Sequence, residues 1–104
     1  HGRRLDFLYT AEGGKINGGN IANLFKRIPN ALVRAQTIQE KLGEIIIKLE
    51  VDHEQYKSEY DDLLRDEFLH KFGRDTRIII EHVNEITREK NGKFKLIINQ
   101  VSNI

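Results

Sequence analysis

The stretch from Pro29 to Phe72, PNALVRAQTIQEKLGEIIIKLEVDHEQYKSEYDDLLRDEFLHKF, contains no proline after its first residue. Apolar or bulky side chains recur through it at alternating steps of three and four: Leu32, Ala35, Gln39, Leu42, Ile46, Leu49, His53, Tyr56, Tyr60 and Leu63. Such spacing reads as the a/d seam of a coiled coil or a long helical hairpin. One helix over about 30–72 would extend roughly 65 Å at about 1.5 Å per residue. The fold class this predicts is all-α, with the long helix folded back on one or two shorter helices as a coiled-coil-like hairpin. Pro29 suits the first turn, where no intrahelical N–H bond is lost. Gly43 is the weak point, costing about 1 kcal/mol relative to alanine, and its small size would serve a close helix approach.

Toward the C-terminus the seam shifts to Leu64, Phe68 and Phe72, a stutter that turns the apolar stripe. Gly73 fits the residue just past the helix end, with Lys71 placed at the negative end of the dipole. Asp75 or Thr76 then caps a second helix carrying Ile79, Ile80, Val83 and Ile86. Asn91-Gly92 reads either as a type I′ hairpin turn leading to a strand over Lys93–Ile98, or as a helix break. Phe94, Ile97, Ile98 and Val101 fall at i, i+3, i+4 and i+7, which favours a third helix; residues 93–104 stay open between helix and strand.

Toward the N-terminus, Leu5 to Tyr9 is an apolar patch too short for periodicity to decide between helix and edge strand. Gly13, Gly14, Gly18 and Gly19 mark a loop, after which Asn20 caps a short helix with Ile21, Leu24, Phe25 and Ile28 on one face. The organisation expected is a flexible glycine-rich segment with a short helix over 1–28, then a helical hairpin over 29–104. Residues Gly2 to Leu8 also resemble a stretch in the C-terminal region of the YicC-like RNases. That resemblance covers seven residues and carries no function across, because the glycine loop and long seam do not continue it.

The chain has 104 residues, one proline and no cysteine or methionine, with 32% charged and 38% apolar side chains. It is long enough for one small domain and has no disulfide or thiolate metal site. The absence of methionine makes His1-Gly2 read as a tag remnant or the chain as a fragment. No apolar run approaches the roughly 18 residues of a membrane span, and no signal-peptide core follows the first residues. A soluble, intracellular protein, cytoplasmic by default, is expected. Net charge is +1 but uneven, at +4 over residues 1–36, −6 over 37–70 and +3 over 71–104. An acidic middle between basic ends fits a fold-back that sets opposite charges together.

Motifs with chemistry are few. Gly13 to Asn20 lacks the Lys-Ser/Thr pair of a phosphate loop and reads as a linker. Glu50/His53 and Glu67/His70 have the i, i+3 spacing of dimetal bundles, but both would lie on one helix about 25 Å apart. No metal site and no cofactor are therefore implied. His82 beside Glu81, and the pairs Asp61-Asp62 and Asp66-Glu67, show no arrangement for acid–base work, so no enzyme activity is expected. The function expected is a non-catalytic assembly or adaptor protein. Its interface seam would be Leu32, Leu42, Ile46, Leu49, Tyr56, Tyr60 and Leu63, and its partner a second copy or another helical protein. The alternative is a small nucleic-acid-binding accessory protein. Arg3, Arg4, Lys26, Arg27 and Arg34 flank Phe7, Tyr9 and Phe25, while Arg88, Lys90, Lys93 and Lys95 surround Phe94. Cations neutralise phosphates and aromatics stack on bases. Lys26, Arg27, Arg34, Arg88, Lys93 and Lys95 are the candidate contacts.

Overall fold

The Ile-Ile-Ile triplets at 45–47 and 78–80 are β-branched on both sides of the pleat, a composition that packs better on a sheet than along a helix. Both lie in strands in the computed structural model, which describes residues 6–28 and 30–101. Pro29, Arg3 and Arg4 lie outside the described residues. The chain runs β1 (Phe7–Tyr9), β2 (Lys15–Asn17), α1 (Gly18–Asn23), β3 (Leu32–Gln39), β4 (Glu44–Val51), α2 (Glu59–Phe72), β5 (Arg77–His82) and β6 (Ile97–Asn99).

The all-α expectation is overturned: six strands form two sheets, and there are two helices among the described residues. A heptad and a strand agree at even steps and disagree at odd ones. Leu42 to Ile46 is a step of four, whereas Ile46 to Leu49 is a step of three, which a strand sends to opposite faces. Ile45, Ile47 and Leu49 are fully buried, while Ile46 is only partly covered. Period two wins because β4 has a face to bury and a neighbouring strand on each side. The coiled-coil seam therefore does not exist. Leu32 is on β3, Leu42 is exposed in a turn, Ile46 and Leu49 lie on opposite faces of β4, and Tyr56 is in a loop. Tyr60 and Leu63 alone share α2.

Gly43 is not a helix interior residue either. It closes the β3–β4 hairpin at φ +81°, a conformation side chains with a Cβ resist. The central sheet has the order β5-β4-β3-β6. β3 and β4 pair antiparallel, while β5 runs parallel to β4 and β6 parallel to β3. A parallel neighbour needs a crossover, and α2 supplies it between β4 and β5. The expected second helix is strand β5. The expected third helix is an irregular segment leading into strand β6, after a turn in which Gly92 has φ +82°.

Some local expectations stand in part. Ile21, Leu24, Phe25 and Ile28 are all buried, but α1 ends at Asn23, so only Ile21 lies on the helix, and the capping residue is Asn17, whose side chain accepts the Asn20 N–H. Leu64, Phe68 and Phe72 are the buried face of α2, and Gly73 ends it. These residues join Leu8, Ile45, Ile47, Leu49 and Ile97 in one core, between the helices and one face of the central sheet. The Cα radius of gyration is 13.5 Å, close to the roughly 13 Å of a 100-residue globule and incompatible with a 65 Å rod. No helix among the described residues is long and apolar enough to cross a membrane.

Candidate functional site

Between β5 and β6 the chain crosses from one edge of the sheet to the other, and this segment is pinned along its length. The Val83 N–H donates to the Leu49 carbonyl (2.9 Å), and the Ile86 N–H donates to the Glu50 carboxylate (3.3 Å). Asn91 Oδ1 accepts the Lys93 N–H (3.0 Å), while the Gly92 N–H donates to the Glu89 carbonyl and the Glu89 N–H to the Lys93 carbonyl, both at 2.8 Å. Asn91-Gly92 is thus the tip of a closed turn. Beyond it, Gln36 Nε2 donates to the Lys95 carbonyl (3.2 Å), and Thr37 donates both its N–H and its hydroxyl to the Leu96 carbonyl (2.6 and 2.8 Å).

Phe94 is the centre of this loop. The Arg34 guanidinium lies 4.1 Å from its ring centroid and that of Arg88 4.8 Å, a doubled cation–π contact. Arg34 also reaches Glu50 at 3.2 Å, and Lys95 reaches Glu89 at 3.5 Å. Lys90 and Lys93 are exposed and make no ion pair among the described residues. The cluster holds Arg34, Arg88, Lys90, Lys93 and Lys95 against the carboxylates of Glu50 and Glu89, so its surplus is positive. Beside it, Asp6, Gly18, Phe94, Lys95, Leu96 and Ile97 line a cavity of about 240 Å³.

Four of the six candidate nucleic-acid contacts, Arg34, Arg88, Lys93 and Lys95, therefore meet in one place. The other two do not join them. Arg27 pairs with Glu67 across to α2 at 2.7 Å, and Lys26 is exposed in the segment after α1. Phe25 is buried in the core and presents no ring for stacking, while Phe7 is covered by Lys15 at 4.8 Å. The paired carboxylate–histidine patterns also separate, since Glu50 holds Arg34 and Glu67 holds Arg27. Among the described residues no group of three His, Asp or Glu side chains is placed to hold a metal.

One constellation has no signal in the sequence. The Tyr56 hydroxyl donates to Asp61 Oδ1, and His82 Nε2 lies 3.0 and 3.1 Å from the two oxygens of the same carboxylate. The Tyr56 and His82 rings meet edge-on at 5.0 Å, and Tyr56 and Tyr60 do so at 5.3 Å. Burial first, then the hydrogen bond and negative charge of Asp61, push the Tyr56 phenol above its ordinary pKa. A phenol made harder to ionise is a poor base and a poor nucleophile, so the trio acts as a clamp joining the 52–58 loop, α2 and β5. His82 meets Asp61 only because α2 carries the chain back to lay β5 beside β4, and no local spacing reports that contact.

The family model of the CapK C-terminal domain matches residues 8–100. Protein CapK of Staphylococcus aureus is 28% identical over 100 residues, covering 96% of this chain and 22% of that protein. The chain thus spans about a fifth of the length of this curated relative. No solved structure matches it.

Proposed function

This chain belongs to the CapK C-terminal domain family, and from that premise we propose that it is a non-catalytic binding module of a longer cytoplasmic protein. Its loop over residues 88–96 binds a compact phosphate-bearing ligand. The observation that carries the reading is Phe94 held between Arg34 and Arg88, on a loop anchored to β3 and β6, with Lys93 exposed on the turn before it. The anchored backbone reduces the ordering needed on binding. Phosphate oxygens accept from guanidinium and ammonium groups, and the Phe94 ring between the two guanidinium groups fixes where they stand. Support for a small ligand over a polynucleotide comes from dimensions. Arg34 and Arg88 flank a single aromatic ring, and Lys95 lines the adjacent cavity of about 240 Å³.

The reading is tested by titrating the isotope-labelled chain with pyrophosphate and with a single-stranded oligonucleotide while following backbone amides. Saturable shifts confined to residues 34–37 and 88–96 are expected with pyrophosphate, and Lys93→Ala and Arg34→Ala should each weaken binding several-fold. An oligonucleotide binding much more tightly would replace the ligand class by nucleic acid, and steep salt dependence would accompany it. Shifts that are absent from the loop, or unchanged in both variants, would remove the reading.

A further inference from the structure

The central sheet has a second face that neither helix covers. Ile38 pairs with Ile46, Ile46 with Ile79, and Ile38 with Ile98, so one isoleucine from each of the four strands forms a continuous row. All four are only partly covered, and none packs against the core formed on the opposite face. Charged residues border the isoleucines of β4 and β5 on either side: Glu44 and Arg77 two residues before them, Lys48 and Glu81 two residues after. The crossover carrying Ile86 and Phe94 covers the Glu50–Arg34 end of this face and extends to Gln36, which is buried against the Lys95 carbonyl two residues before Ile38.

We propose that this isoleucine row is where a second copy of the chain docks, about a two-fold axis lying along the row. Rotation about that axis reverses strand direction and lays each isoleucine against its own counterpart. It also sets the residue two places before each isoleucine against the partner's residue two places after. On β4 this brings Glu44 to the partner's Lys48, and on β5 Arg77 to the partner's Glu81, opposite charges in each case. An axis parallel to the strands would instead bring β4 over β3, facing Lys48 with Gln36 and carrying Glu44 toward Glu40; the opposite charges it would align, Glu50 with the partner's Arg34, already pair within one chain under the crossover. The face is therefore self-complementary in one arrangement, as an isologous interface requires. Apolar burial supplies the affinity and the rim charges fix the alignment. A face of four short strands is smaller than a standard interface, so the dimer is concentration-dependent. This inference is independent of the anion-binding loop.

Sedimentation equilibrium over a concentration series reads it directly. The expected result is a reversible monomer–dimer equilibrium for the unchanged chain and, for Ile46→Asp, at least about a tenfold weaker association with an unchanged circular dichroism spectrum. Lys48→Glu should weaken the dimer by setting like charges against each other across the axis. Adding Glu44→Lys to it should restore association, because the two exchanged charges again oppose each other across the interface. This pair of variants leaves the apolar row intact and so decides the matter even if Ile46→Asp does not fold. A monomer at every concentration would overturn the proposal and leave the face to a different polypeptide. Failure of the double substitution to restore association would overturn it as well.

Discussion

Asp61 accepts the Tyr56 hydroxyl and contacts His82, so one carboxylate at the start of α2 secures both the preceding loop and the end of β5. The Tyr56 phenol holds its proton more tightly in the folded chain than in the unfolded one, where its value is the ordinary 10. The folded state then binds more protons as pH passes 10, so stability falls with rising pH. The contribution is complete below pH 10 and disappears as pH climbs toward the raised folded value. Tyr56→Phe should therefore flatten this part of the alkaline decline, at the expense of the hydrogen bond near neutrality. Urea midpoints for both proteins between about pH 8 and pH 11 would show the two curves converging as pH rises. Parallel curves would assign the alkaline loss to other groups. None of this is legible from residues 56, 61 and 82 in the sequence, since the strand pairing that joins them is a long-range event. Arg88, Lys93, Phe94 and Lys95 are legible as a cationic group because they are neighbours in the chain; Arg34 reaches Phe94 only through the pairing of β3 with β6.

At the scale of elements, the β3–β4 hairpin shows why the periodicity misleads. Its apolar residues fit steps of three and four as well as alternation, and the deciding information lies in residue type. Three consecutive isoleucines at 45–47 and a glycine two residues earlier describe a strand entered through a turn. The alternation in β4 is complete, from Ile45 through Ile47 and Leu49 to Val51 on the core side. Helix α2 is legible because its buried face at Leu64, Phe68 and Phe72 arises from local spacing, and local spacing survives any tertiary arrangement. The hairpin makes its own prediction. A Cβ at Gly43 would meet no atom within 4 Å, so Gly43→Ala carries only the conformational penalty of φ +81°. A loss of about 1–2 kcal/mol is expected by urea denaturation. No loss would mean that the turn relaxes to another type, which amide shifts at residues 40–43 would reveal.

For the whole molecule, Phe68 is the residue through which the parts communicate. Its ring stacks on Phe72 at 5.7 Å, meets Phe25 edge-on at 5.6 Å, and is fully buried over the sheet. Phe25 follows α1, so the glycine-bearing first part of the chain and the helix–sheet part share one core. Phe68→Ala should cost about 3–5 kcal/mol through lost burial and an unfilled cavity. For a domain of this length the whole stability is about 5–15 kcal/mol, so the variant should lose a large fraction of it. The form of its unfolding matters as much as the size of the loss. A shared core means that amide signals from β1, β2 and α1 should disappear at the same denaturant concentration as those from β4 and α2, in the variant as in the parent. If residues 6–28 melted earlier while the sheet persisted, the first part would be a docked appendage, and Phe25 would contribute little to the sheet. Coincident loss would make the chain one cooperative unit, and the basic loop at Phe94 and the isoleucine row would then be two neighbouring sites on one face of a single support.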